Sequence, residues 1–163
     1  MAAVVRLLTF VDLDANDPGP DSKSFAVSAR LEAVLADGRR VVLLDDRGWG
    51  GTICVSWDRE PSEQERKDAE RLRGWDFMTV EEMEQTARDV VGPDEAIEDE
   101  TQADMERGHW ETLARVLQDQ GIEVEAADLK VLPHDVELSD RVLARIREGR
   151  GAPAPGQSAH QFR

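Results

Sequence analysis

The sequence predicts an α+β fold, in which an N-terminal antiparallel β-meander of three to five strands is followed by three or four helices packed on one face. Three observations support this class. Apolar residues alternate with period two in the first third of the chain, an Asp37-Gly38 pair separates two strand-like runs, and apolar residues recur at steps of three and four after Pro61. We expect one domain over residues 1–148 and a flexible Gly/Pro-rich tail over residues 149–163.

The first two strands are predicted from composition and alternation. Residues 4–11 are rich in Val, Leu, Thr and Phe, and a turn-forming run of Asp, Asn, Pro and Gly follows at residues 14–20. In the next run every second residue is apolar: Phe25, Val27, Ala29, Leu31 and Ala33. This pattern is typical of a half-buried strand with one face against a core.

The Asp37-Gly38 pair predicts a β-hairpin with a two-residue type I′ turn, because such a turn needs positive φ at both central positions. The length of the turn then sets the register of the two strands. The predicted cross-strand pairs are Ala36–Arg39, Ala33–Val42, Leu31–Leu44 and Arg30–Asp45. The Leu31–Leu44 pair would face the core, and the Arg30–Asp45 pair would join opposite charges on the other face.

Beyond the hairpin, glycines at residues 48–51 predict a break in the sheet, and residues 52–57 alternate as a further strand. The Thr79-x-x-Glu82 sequence is a helix capping box, and Ser139 is placed as the N-cap of a final helix. The predicted helices cover residues 61–74 and 79–91, a segment from residue 103 to near Gly121 and a segment after Ser139, with a short strand at residues 122–125. Residues 126–132 favour a short helix over a strand.

The cysteine count and the hydropathy restrict the class of protein. Cys54 is the single cysteine, so no internal disulfide can form and nothing demands an oxidising compartment. No segment approaches the roughly 18 apolar residues that a membrane helix needs, and the N-terminus lacks the pattern of a secretory signal. We therefore expect a cytoplasmic protein.

The net charge of −15 is concentrated in one part of the chain. Residues 60–120 carry 7 basic and 19 acidic side chains, a net charge of −12, whereas residues 1–59 and 121–163 are nearly neutral. A negative field of this size repels phosphate backbones and anionic lipids, so neither nucleic acid nor a membrane is an expected partner. It attracts basic proteins, although solubility alone would also explain the charge.

Two patterns resemble metal sites but lack residues that such sites require. Asp12, Asp14 and Asn16 have the spacing that opens an EF-hand loop, but the sixth position is Asp17 instead of glycine and the twelfth is Lys23 instead of glutamate. An Asx-rich turn explains these residues better. The single Glu106-x-x-His109 motif lacks the second copy that a di-iron bundle requires, which favours a surface or interface role for the histidine. We predict neither a metal nor a cofactor.

A first candidate binding region lies at one end of the predicted sheet. Trp49, flanked by glycines, either covers the core or forms an exposed binding residue, and Asp45, Asp46 and Arg47 would surround a site there. The loop lacks the helix and the lysine of a phosphate-binding loop. No residue of the chain is predicted to be catalytic.

A second candidate region is the acidic run at residues 94–106, which holds seven carboxylates and no basic residue. The candidate binding residues in this run are Glu98, Asp99, Glu100 and Asp104. Such a density of like charges favours a solvated loop, which could also dock a basic surface. The predicted function is a non-enzymatic acidic module, immunity-like or accessory, that binds a basic protein. The alternative is a small enzyme with its site at residues 45–51.

Overall fold

The computed structural model describes residues 2–149 and confirms the α+β class. The strands are β1 (Val4–Leu13), β2 (Ser24–Leu35), β3 (Arg40–Thr52) and β4 (His134–Leu138). The helices are α1 (Glu63–Glu70), α2 (Val80–Val90), α3 (Gln102–Gln118), α4 (Ala126–Lys130) and α5 (Asp140–Gly149). The strands form one sheet in the order β3-β2-β1-β4. Among the described residues, no helix has the length and apolar character needed to cross a membrane.

Strand β2 confirms the face that its alternation predicts. All five apolar side chains that occupy alternate positions are at most 3% exposed: Phe25, Val27, Ala29, Leu31 and Ala33. Towards its end the opposite face is buried as well, since Glu32 and Val34 are also withdrawn from solvent. The buried Glu32 carboxylate accepts a hydrogen bond of 3.0 Å from Arg30 and lies 3.6 Å from Arg40, so its charge is compensated.

The β2–β3 hairpin has a three-residue turn, so the predicted register is wrong by one residue at the turn. The amide of Gly38 donates to the Leu35 carbonyl at 2.9 Å, and the Leu35 amide donates to the Arg39 carbonyl at 2.8 Å. Within this turn φ is positive at Gly38 and not at Asp37, whereas a type I′ turn needs positive φ at both residues. Because a one-residue shift exchanges the two faces of a strand, Val42 is 43% exposed where the prediction placed it on the core side.

Strand β3 continues through the glycines that were expected to interrupt it. Residues 48–51 lie inside the strand, and the segment at residues 53–57 is not a strand, so both predictions are wrong. A Cβ atom on Gly48 would lie 2.6 Å from the Val27 carbonyl oxygen, and one on Gly50 would lie 2.5 Å from that of Phe25. These glycines allow a close approach between neighbouring strands, as glycine inside a strand often does.

Strand β4 is absent from the sequence prediction, which placed a short strand at residues 122–125 instead; those residues form no strand. It pairs in parallel with β1, with Leu7 opposite His134 and Val11 opposite Leu138. The hydroxyl oxygen of Thr9, which is fully buried, lies 2.6 Å from Nε2 of His134 and adds a side-chain link between the two strands.

The caps predicted at Thr79 and Ser139 are present, whereas α1 begins at an N-cap, Ser62, that was not predicted. Ser62 and Glu65 form a reciprocal capping box at α1, which ends at Glu70, several residues before the expected Gly74. The Thr79 hydroxyl accepts the Glu82 amide at α2. The Ser139 hydroxyl accepts the Val142 amide at α5. The expected short helix within residues 126–132 is present as α4.

The chain divides into two compact units. Unit 1 comprises Met1–Val11, Ala29–Arg47 and Glu84–Leu138, and unit 2 comprises Asp12–Ser28, Gly48–Met83 and Ser139–Arg163. Gly149, the first residue of the predicted tail, is buried and ends α5. The remainder of that tail, residues 150–163, lies outside the described residues.

Candidate functional site

A cleft in unit 1 brings together side chains from β3, from the loop after α2 and from α3. We name it the Arg47 cleft; its volume is about 360 Å³. It is lined by Leu44, Arg47, Asp94, Asp104, Met105, Gly108, His109, Thr112 and Leu113. A volume of this size falls within the range of small-ligand pockets.

Helix α3 forms one wall of the cleft because six of its lining residues lie on one helical face. Asp104, Gly108 and Thr112 follow one another at steps of four, and Met105 and His109 form a neighbouring row. The helix is fixed at its start by the Thr101 side chain, which accepts a hydrogen bond from the Asp104 amide at 3.2 Å. This cap sets the position of the first cleft residues.

The opposite wall contains an ion pair between β3 and the loop. Nη1 of Arg47 lies 2.6 Å from Oδ1 of Asp94, and the Arg47 side chain is only 24% exposed. The hydrogen bond from Arg47 lowers the pKa of Asp94 below its ordinary value. Hydrogen bonding to Thr101 and to Arg107 likewise lowers the pKa of Asp104. Both carboxylates are therefore ionised at neutral pH.

His109 is a half-buried titratable group of the cleft. Burial is the main reason that its pKa is lowered; the positive charge of Arg47 acts in the same direction, and Asp94 opposes both. The imidazole is therefore neutral at pH 7. Its ring meets that of Trp110 edge to face at 5.1 Å, and within residues 2–149 its Nε2 atom has no hydrogen-bond partner.

The structure unites part of each predicted binding region. Arg47 and Asp104, which come from the two different regions, both line the cleft. Asp45 and Asp46 are exposed on β3, and Asp46 lies 3.7 Å from Arg47. Trp49 belongs to unit 2 and is half-buried, and its indole nitrogen has no partner in the part of the chain that the structure describes. Whether any of these residues binds a ligand remains a prediction.

The remaining predicted residues lie on the acidic loop, by which we mean residues 94–100. Glu98, Asp99 and Glu100 are exposed there, and Glu98 has a φ of 52°, which is uncommon for a residue with a side chain. The loop also carries Ile97, which is 70% exposed. The sequence reasoning did not single out Ile97, although an apolar residue inside an acidic run was a visible signal.

A second groove of about 460 Å³ separates α3 from α4 in unit 1. Ala103, Trp110 and Ala126 line it, and two further lining residues, Glu106 and Lys130, form an ion pair at 2.6 Å. Glu106 of the Glu-x-x-His motif therefore has a lysine partner. Within residues 2–149 no group of three or more metal-ligating side chains is found.

The two carboxylates of the Arg47 cleft are poorly suited to donate a proton at neutral pH. A carboxylic acid that donates a proton at neutral pH needs a raised pKa, whereas those of Asp94 and Asp104 are lowered. No family model, curated protein or solved structure matches the chain. The function must therefore be argued from the geometry of these side chains.

Proposed function

We propose that the protein is a non-enzymatic binding module that recognises a basic protein through its acidic loop. The observation that carries the proposal is the exposure of Ile97 in the middle of a segment whose other exposed side chains are carboxylates. Protein interfaces commonly combine an apolar centre with a polar rim, and the rim charges select the partner. A cytoplasmic location and the absence of nucleic-acid or membrane partners belong to the same proposal.

The backbone of the loop is held by one side chain. The Gln102 amide accepts a hydrogen bond from the Ala96 amide at 3.1 Å and donates one to the Asp94 carbonyl at 3.4 Å. The Glu100 amide closes a turn onto the carbonyl of Ile97 at 3.1 Å. Ordering the loop before binding reduces the entropy lost when a partner docks.

The charges of the loop are free to pair with another molecule. Among the described residues, Glu95, Glu98, Asp99 and Glu100 form no ion pair, whereas Asp94 is bound to Arg47. Unpaired exposed carboxylates attract a basic surface at low ionic strength, and salt screens the attraction. The acidic loop therefore combines an exposed apolar side chain with unpaired negative charges.

The proposal is tested with a triple variant of the loop, E98Q/D99N/E100Q, and a matched control, D119N/E123Q/E125Q. Both variants remove three exposed carboxylates. The control sites lie beyond the other end of α3, which is about 25 Å long for its 17 residues. Any effect of net charge alone is therefore the same in the two variants.

Wild-type protein immobilised at low ionic strength should retain a basic protein from extracts of its source cell, and the purified partner should release as salt is raised. In titrations of that partner, the loop variant should bind at least about tenfold more weakly, equivalent to about 1.4 kcal/mol, while the control binds like wild type. The proposal fails if no basic protein is retained, or if the control variant loses as much affinity as the loop variant.

The enzyme alternative at residues 45–51 has less support. The carboxylates of Asp45 and Asp46 are exposed to solvent, and those of the nearby cleft are stabilised in the ionised form. These carboxylates therefore supply no proton donor suited to neutral pH. This alternative stays a prediction that an activity screen would address.

A further inference from the structure

Strand β4 buries little of its own surface. It is an edge strand of five residues, and each of its side chains is half-buried or exposed. Its first residue, His134, places Nε2 2.6 Å from the hydroxyl oxygen of Thr9 on β1, and Thr9 is fully buried. A short edge strand with little buried surface is the kind of element that opens locally while the rest of a fold stays intact.

The Thr9 hydroxyl determines which nitrogen of the His134 ring carries the proton. Within residues 2–149 this hydroxyl makes no other hydrogen bond. Because a buried donor is normally satisfied, the hydroxyl donates to Nε2, and Nε2 must then offer a lone pair. The neutral ring therefore carries its proton on Nδ1.

A second proton on this ring changes the hydrogen bond. The proton adds at Nε2, since Nδ1 already carries one. Nε2 then becomes a donor directed at the hydroxyl oxygen, and the hydroxyl hydrogen loses its acceptor. A buried hydroxyl without an acceptor destabilises the closed strand, whereas both groups can hydrogen-bond to water once the strand has opened.

The surroundings of the ring also disfavour the second proton. Burial is the main reason that the pKa of His134 is lowered, and the positive charge of Arg88 on α2 acts in the same direction. Asp135 opposes both effects, but its carboxylate is paired with Arg6 at 2.9 Å. The Arg88 side chain is held beside the strand, because its Nε atom donates to the His134 carbonyl at 3.3 Å. Since the pKa is lowered in the closed strand, closure is fully favoured above the ordinary histidine pKa and weakens as the pH falls below it.

We propose that Thr9 and His134 form an acid-sensitive latch, in which protonation of Nε2 removes the acceptor of the Thr9 hydroxyl and lets β4 separate from β1. Histidine is the side chain whose charge ordinarily changes between pH 5 and 8, and His134 is the only histidine of β4. The pairing of β2 with its two neighbours does not involve this ring and stays closed. Neither latch residue belongs to the acidic loop, so the latch and the proposed function are tested separately.

The test measures amide hydrogen exchange by NMR at pH 7.5 and pH 5, with each rate corrected for the intrinsic pH dependence of exchange. The informative amides are those of β4 and that of Leu7, which donates to the Pro133 carbonyl at 2.8 Å. Their protection factors should fall by about tenfold to about thirtyfold at pH 5, the upper value being the limit for a histidine whose pKa in the open strand is near 6.5. The Leu35 amide, which donates to Arg39 inside the β2–β3 hairpin, should keep its protection. Unchanged protection in β4, or an equal fall at Leu35, would overturn the inference.

His134→Gln and its control His109→Gln separate the latch from the other titrating groups. The side-chain oxygen of glutamine can accept the Thr9 hydroxyl as Nε2 does, and glutamine does not titrate. We expect His134→Gln to keep the protection of β4 at pH 5, and His109→Gln to lose it as the wild type does. The latch is wrong if folded His134→Gln keeps the pH response, or if His109→Gln abolishes it.

The wild-type protein supplies a second measurement that does not depend on how a variant folds. Long-range proton–nitrogen NMR spectra of the ring distinguish a nitrogen that carries a proton from one that accepts a hydrogen bond. At pH 7.5 the Nε2 signal of His134 should be that of an unprotonated nitrogen, and the Nδ1 signal that of a protonated one. A proton on Nε2 at this pH would contradict the tautomer on which the latch depends.

Discussion

Two acidic segments of this chain look alike in sequence and differ in what their carboxylates contact. The segment at residues 12–17 holds Asp12, Asp14 and Asp17, and the acidic loop at residues 94–100 holds five carboxylates. In the first segment, Asp12 accepts hydrogen bonds from Ser139 and from Arg141, and the bond from Arg141 is the main reason that its pKa is lowered. These contacts hold α5 in place within unit 2.

Asp17 shows the same internal use of charge in a more buried form. Its side chain is 4% exposed, lies 2.9 Å from Nη1 of Arg145, and accepts the backbone amides of Gly19 and Ala26. The acidic loop, by contrast, leaves four of its five carboxylates without an ion pair in the described residues. The contacts that each carboxylate makes therefore distinguish the two segments. The density of carboxylates in the sequence does not.

The sharpest test of this contrast is Asp17→Ala in unit 2. The substitution leaves Arg145 charged and poorly solvated, so the free energy of unfolding should fall by about 3–5 kcal/mol in urea titrations. Asp21→Ala is the control because the Asp21 side chain is 93% exposed, and it should change stability by less than about 0.5 kcal/mol. Similar losses in both variants would show that the Asp17 pair is not structural.

Gly108→Ala tests whether the glycine of α3 serves the fold. With open space at this position, the alanine should raise the free energy of unfolding by about 0.5–1 kcal/mol, measured by thermal or urea unfolding. A loss of stability would mean that the fold itself requires glycine here.

The smallest effect is expected for E98Q/D99N/E100Q in the absence of any partner. Because these side chains are exposed and make no ion pair in the described chain, their neutralisation should change the free energy of unfolding by less than about 0.5 kcal/mol in total. A clear destabilisation would place the acidic loop with the structural carboxylates, and the contrast between the two segments would disappear.

The sequence was sufficient for features that depend on local chemistry. The buried face of β2, the caps at Thr79 and Ser139 and the helix within residues 126–132 all follow from alternation and capping residues close in the chain. The carboxylate oxygens at residues 12–17 accept hydrogen bonds within unit 2, from the nearby Gly19 amide and from Ser139, 127 positions away.

The predictions from sequence were wrong where tertiary contacts determine the structure. The turn at Gly38 uses three residues because Asp37 keeps negative φ, and no local rule separates this turn from the two-residue form. Glycines at 48 and 50 looked like a break, but they are required by the carbonyls of a neighbouring strand. The Arg47 cleft was missed for the same reason: only folding brings Arg47 to Asp94, 47 positions along the chain.

The parallel pairing of β1 with β4 has a consequence for the order of events during synthesis. Leu7 and His134 are 127 positions apart, whereas β2 and β3 are joined by a short turn. At roughly 5–20 residues per second, a ribosome needs roughly 6–25 s to deliver His134 after Leu7. Throughout that interval the outer edge of β1 has no strand to pair with, while the hairpin beside it can already form. The nascent chain is therefore exposed to mispairing at β1 until the residues of β4 have been made.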